Sequence, residues 1–212
     1  MRTQSLVHCR EAILHDWTCD RKMSEVEVEI VVAILDKNRG FALGKKFPWP
    51  YLKGDHEFYI NLTTTRTDLS KRNAYIMGRN TWEEWQGNEK QNPALFTVVT
   101  SRTLRDDGVP HLQKVLPSLE DAITYVTTSP VREQIEKVFL MGGKQNYDQF
   151  IDDPRLKRIY VTRIFGDFEA DVVFPVFEHR FKRVSPAPSL DESLQEDNGV
   201  QYQFELWEPI SS

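Results

Sequence analysis

The chain has 212 residues, 40% of them hydrophobic, with 5 Trp, 7 Tyr, 12 Phe and a formal net charge of −5. That is enough apolar side chain for one full core, while the scattered Lys and Arg leave no basic footprint for nucleic acid. No apolar run approaches the ~18 residues that a membrane span requires.

Residues 1–24 are expected to form a poorly ordered extension, followed by a single domain over 25–212. The leader lacks the compact apolar run of a secretory signal. Its Glu11, Asp16 and Asp20 argue against a mitochondrial presequence, so a cytoplasmic location is expected. Cys9 and Cys19 read as free thiols, because no other cysteine lies near to complete a site. Met23, just ahead of the first strand pattern, is a candidate alternative start of the folded unit.

"VEVEIVVAIL" (26–35) is a β-branched run that turns fully apolar, as a buried strand does. A loop with Gly40 and Gly44 follows, then "FPWPYLKGDHEFYINLTTT" (47–65), which opens on Pro-Trp-Pro and continues as an amphipathic helix. "NAYIMG" (73–78) is a short strand running into the helix start "RNTWEEW", and "ALFTVVTS" (94–101) is another buried strand. In "LPSLEDAITYVTT" (116–128), Ser118 and Asp121 have the spacing of a capping box at a helix start. "KVFLMGG" (137–143) is a strand ending in a glycine pair, with a helix in "KQNYDQFI". "RIYVTRI" (158–164), "FKRV" (181–184) and "VQYQFELWE" (200–208) are strands. A Ser-, Pro- and acid-rich loop precedes the last of them, and Asn198-Gly199 is a hairpin turn signal. Strands alternating with helices, then a closing antiparallel pair, predict an α/β domain on a mostly parallel sheet.

Ligands of parallel α/β sheets bind at the carboxyl ends of strands. "YIMGRNT" and "FLMGGKQN" each run strand, glycine, helix start, a pattern suited to phosphate, with Arg79, Lys144 and Arg102 as nearby cations. Two such turns point to a ligand with several phosphates, such as a dinucleotide. A G-x-G-x-x-G fingerprint and a G-x-x-x-x-G-K-[ST] loop are both absent. The second candidate is Asp55, which falls in the helix stripe of Leu52, Tyr59 and Leu62. Two readings stand: a first-turn carboxylate satisfied by backbone N–H groups, or a carboxylate in an apolar pocket that binds an amidine-like ring edge. Burial would raise its pKa and suit it to supply a proton. His8, His15, His111 and His179 share no ligand spacing, so no metal is expected.

"VVAILDKNRGFALGKKFPWPYLKGDHEFYINLTTT", "NAYIMGRNTW", "TVVTSRTL", "VFLMGGKQNYDQF" and "IYVTRIFGDFEADVVFP" together resemble the dihydrofolate reductase family, in order and spacing, from about Val26 to Trp207. The resemblance implies an eight-stranded, mostly parallel central sheet with flanking helices and a C-terminal antiparallel pair. It also implies NADPH as hydride donor and reduction of 7,8-dihydrofolate to tetrahydrofolate by a monomer acting on a small molecule. By the same resemblance Asp55 is the active-site acid, Trp49 orders a water beside it, and Thr162 hydrogen-bonds its carboxylate. Val31, Val32, His56, Tyr59 and Met141 are implied substrate contacts. Leu43 and Gly44 are implied parts of a loop over nicotinamide, beside Ala33. Gly78, Arg79, Asn80 and Thr81 are implied to form one phosphate-facing turn. Gly142 and Gly143, implied to be joined by a cis peptide, lead to Lys144, Gln145 and Asn146 under the pyrophosphate. Ser101 and Arg102 fall where the resemblance implies the adenosine 2′-phosphate.

Some positions depart from the family pattern. Leu95 and Ala94 stand where an arginine and a glycine are expected, the arginine pairing with the folate α-carboxylate. Lys53 and Lys90 are candidate substitutes, although a lysine is not a planar fork. His56 replaces an aromatic residue. Glu83 and Glu84, next to Trp85, either repel an anionic substrate tail or point to solvent. Two further readings are therefore carried beside the first: an NADPH-dependent reductase of another pterin or a tail-less substrate, and a non-catalytic nucleotide-binding relative.

Overall fold

The computed structural model describes residues 27–85, 88–106 and 110–210. The leader expectations, including Cys9, Cys19 and Met23, lie outside them. The elements run β1 (Val28–Leu35), β2 (Gly40–Ala42), α1 (Lys53–Thr64), β3 (Arg72–Gly78), α2 (Arg79–Glu84), β4 (Leu95–Thr100), β5 (Lys114–Leu116) and α3 (Leu119–Thr127). They continue with β6 (Ile135–Leu140), α4 (Lys144–Phe150), β7 (Leu156–Phe165), β8 (Val172–Val173), β9 (Phe181–Val184), β10 (Gln195–Asp197) and β11 (Val200–Pro209). The main sheet has the order β10-β11-β7-β1-β6-β3-β4-β5. From β7 to β5 every pair is parallel, and β11 joins antiparallel to β7. β9 pairs with Leu206–Pro209 and β10 with Val200–Tyr202, so two short strands divide one edge of β11. The expected eight-stranded sheet is present, with that outer position split.

The near-continuous apolar runs of β1, β3 and β6 follow from burial on both faces. Val28, Ile30, Val32 and Ile34 pack with α3 and α4 residues on one face. Val31 on the other face joins Tyr75, Met77, Trp82, Leu95 and Phe139, with Phe58, Tyr59 and Leu62 of α1 packed against them. The Ser118 hydroxyl accepts from the Asp121 N–H at 3.1 Å, the predicted start of α3. Asn198 and Gly199 both have positive φ, 50° and 74°, as a two-residue hairpin turn requires. The periodicity missed the two- and three-residue strands β2, β5, β8 and β10, which are too short to show a period. The helix expected after Pro48-Trp49-Pro50 runs from Lys53 to Thr64, with Leu52 of the expected stripe at its N-cap.

Both termini of α1 are tied to distant parts of the chain. At the C-terminal end the fully buried Asn73 donates to the carbonyls of Thr63 (2.8 Å) and Thr65 (3.1 Å), while Tyr75 donates to the Thr63 hydroxyl. At the N-terminal end, Asp197 accepts from the Gly54 N–H at 2.7 Å and from the Tyr202 hydroxyl at 2.8 Å. The side chain of Asn198 donates to the Tyr51 carbonyl at 2.8 Å. The β10–β11 hairpin thus fixes the helix start that carries Asp55.

Candidate active site

A cavity of about 730 Å³ opens where β1, α1 and the turn after β6 meet, within the ~300–1,000 Å³ span of small-molecule sites. Its wall is mainly apolar: Val31, Val32, Ala33, Phe41, Trp49, Leu52, Met77, Trp85 and Met141 face it. Asp55, His56, Tyr59 and Thr162 add polar groups beside α1 and β7, and Lys45, Lys46, Thr81 and Glu84 add others. Ala33 and Thr162 are direct partners across β1 and β7, which sets Thr162 beside the floor of the cavity.

Asp55 is the third residue of α1, and the two readings of it can be separated here. The first-turn N–H of Gly54 already bonds Asp197, so a carboxylate from another strand caps this part of the helix. The Asp55 side chain is left to the cavity. Burial pushes its pKa up from the ordinary 3.8, the Thr162 hydrogen bond and the His56 charge oppose the shift, and Asp197 adds to it. Trp49, 6% exposed, stacks on Phe47 at 5.7 Å and covers this end of the cavity.

The second half of the site lies at the carboxyl ends of β6, β3 and β4, three adjacent parallel strands. Gly78 donates to the Gly142 carbonyl at 2.8 Å, and the Gly142–Gly143 peptide is cis. A Cβ on Gly143 would stand 3.3 Å from the Thr81 hydroxyl, and one on Gly142 would meet Thr81 and Tyr147 at 3.4 Å. Gly142 also has φ +113°, which side chains rarely adopt. The glycine pair therefore keeps side chains off this turn, leaving the backbone open to close approach by a ligand. The neighbouring strand end adds Ser101, whose hydroxyl accepts from the N–H groups of Thr103 and Leu104, and the exposed Arg102. Arg79 donates to Thr103 at 2.9 Å.

Of the expected site residues, the cavity gathers Val31, Val32, Ala33, Trp49, Asp55, His56, Tyr59, Thr81, Met141, Gly142, Gly143 and Thr162. Gly78, Arg79, Asn80, Ser101, Arg102, Lys144 and Gln145 are not on its lining; they lie along the adjoining strand ends and helix starts. Asn146 is 6% exposed and bonds the Gly142 carbonyl at 2.9 Å, bracing the glycine turn from behind. Leu43 and Lys46 close a tight turn whose tip is Gly44 and Lys45; Leu43 and Gly44 are not on the lining, whereas Phe41, Ala42, Lys45, Lys46 and Phe47 are.

Leu95 is 4% exposed within the core and is not on the lining. Neither expected substitute for the arginine reaches the lining: Lys53 is exposed near Glu57, and Lys90 lies over the Trp82 ring and donates to its carbonyl. The two glutamates part company, Glu83 pairing with Arg79 and Glu84 facing the cavity. Tyr147 was not foreseen as a lining residue. Its position one helical turn past the Gly142–Gly143 pair was the available signal.

The family model described as dihydrofolate reductase matches residues 27–208. The chain belongs to the dihydrofolate reductase family. Among its relatives in this family of oxidoreductases, the chicken (Gallus gallus) dihydrofolate reductase is 30% identical over 84% of this chain and 94% of that protein. A viral dihydrofolate reductase of Saimiriine herpesvirus 2 is 28% identical, covering 84% of each chain. The solved dihydrofolate reductase of Schistosoma mansoni has 27% identity and a TM-score of 0.75, over 88% of this chain and all of that one. The extended pairing of β1, β7 and β11 beside the cavity is thus the family's sheet.

Proposed function

We propose that this family member reduces 7,8-dihydrofolate to 5,6,7,8-tetrahydrofolate with NADPH. One observation carries the reading: Asp55 is drawn toward its protonated form by burial at an apolar cavity and is held by Thr162. A pterin offers a planar amino-pyrimidine edge, whose paired N–H groups a carboxylate binds by charge-assisted hydrogen bonds. The carboxyl also holds the proton that ring N5 must gain as C6 gains hydride, saturating the N5=C6 bond. Bound NADPH supplies that hydride. Trp49 and Phe47 cover the pterin end and exclude water, which strengthens the polar contacts inside. Ala33, Met141 and the Gly142–Gly143 cradle form the surface on which the two flat rings are aligned, and Ser101 and Arg102 favour a 2′-phosphorylated cofactor. The accompanying reading is a cytoplasmic monomer.

The test follows the loss of NADPH absorbance when dihydrofolate is added to the purified chain. Turnover is expected, and Asp55→Asn should lower kcat by roughly 10²–10⁴ while NADPH still binds. Wild-type protein that leaves NADPH unoxidised, or an Asp55→Asn variant with full turnover, would overturn the reading.

A further inference from the structure

The cavity lining carries few charges. Apart from Asp55 and the imidazole of His56 they are Lys45 and Lys46, exposed on the loop after β2, and Glu84, the last residue of α2. Glu84 stands in a costly place. It is half-buried, follows another carboxylate, and ends a helix, where negative charge is disfavoured. Burial raises its pKa, the Lys45 ammonium opposes this, and Glu83 adds to it. Among the described residues its carboxylate has no hydrogen-bond or ion-pair partner. A solvated surface glutamate would turn outward as Glu83 does. Positions that break local rules in this way are where function is sought.

We propose that Glu84 is a specificity residue that weakens the hold on the anionic tail of dihydrofolate relative to a neutral C6 side chain, so that this reductase also accepts pterins without that tail. This deepens the dihydrofolate-reduction reading and rests on it. The tail of dihydrofolate ends in a glutamate with two carboxylates. On the lining, apart from the His56 imidazole beside Asp55, the two rim lysines are what offers cations to them, and the Lys45 charge already acts on Glu84. A tail carboxylate must compete with Glu84 for that ammonium or lie near it uncompensated. A neutral, hydroxylated side chain has donors to give Glu84 and no charge to hide. Glu84 therefore lowers affinity for the anionic tail and raises affinity for the neutral one.

Binding of folate and of biopterin, whose C6 side chain is a neutral diol, to the full chain, read from quenching of tryptophan fluorescence, gives a ratio of two Kd values. Glu84→Gln should lower the folate-to-biopterin ratio roughly five- to tenfold, and Glu84→Lys should lower it further. Added salt should narrow the gap between wild type and Glu84→Gln. A ratio unchanged in both variants, or equal shifts for both ligands, would overturn the assignment. Failure to oxidise NADPH with dihydrofolate would sink the reductase reading instead, and the binding ratio would still decide the role of Glu84.

Discussion

Asp55 is a carboxyl group held in a place that costs stability when it ionises. Its pKa is higher in the folded protein than in the unfolded chain, so the fold binds the extra proton between the ordinary 3.8 and the raised folded value. Stability of the unliganded protein should accordingly fall as pH rises through that interval, and stay reduced above it. Asp55→Asn removes the dependence. The variant is expected to melt above wild type at pH 7, with the gap closing below about pH 4; calorimetry across pH checks this. A variant that melts lower at pH 7 would mean that the Thr162 hydrogen bond outweighs desolvation. Leu95 gives the converse case. Restoring an arginine there would put a charge inside the packing of Trp82, Tyr75 and Phe139. Leu95→Arg should cost about 3 kcal/mol or more in urea unfolding rather than improve affinity for dihydrofolate.

Helix α1 is held by groups far away in sequence. Gly54 is where the hairpin comes closest: a Cβ there would stand 2.1 Å from the Tyr202 hydroxyl oxygen. Gly54→Ala should therefore destabilise by about 1–3 kcal/mol. Combining it with Tyr202→Phe, which removes the colliding oxygen, should recover part of the loss in a double-mutant cycle. Asp197 acts on the reaction through the same clamp. Among the charged groups facing Asp55, His56 lowers its pKa and Asp197 raises it. Asp197→Asn keeps an acceptor for the Gly54 N–H and deletes the charge. The fall of kcat/KM with rising pH should then move to lower pH, without a matching change in NADPH affinity.

At the scale of the molecule, one order of strands brings the two halves of the candidate site together. β1 and β7 bring Ala33 and Thr162 together, while β6, β3 and β4 line up the glycine turn and Ser101 along the same carboxyl edge. A ligand spanning that edge ties the halves of the sheet together and stabilises by mass action. NADPH at a hundred times its Kd should add about 2.7 kcal/mol. Arg102→Ala should reduce the NADPH-dependent rise in Tm much more than the rise given by NADH. Equal losses would remove Arg102 from the 2′-phosphate.

By itself the sequence determined the order of the longer strands and the helices, because continuous apolar runs and the Ser118–Asp121 and Asn198–Gly199 signals are local. It also singled out Asp55, since a carboxylate in an apolar stripe is anomalous however the chain folds. It left open whether Asp55 caps its own helix, and only the tertiary structure placed Asp197 at that helix start. The same limit applied to Leu95, Lys90 and the paired glutamates. Side-chain direction there depends on which strand or ring lies across the gap, and neighbours in space are not neighbours in sequence. Which residues of the loop around Leu43 and Gly44 reach the lining was likewise not legible, because a turn closed by backbone bonds shows no periodicity. Local patterning decides which elements form; long-range packing decides which side chain faces the cavity.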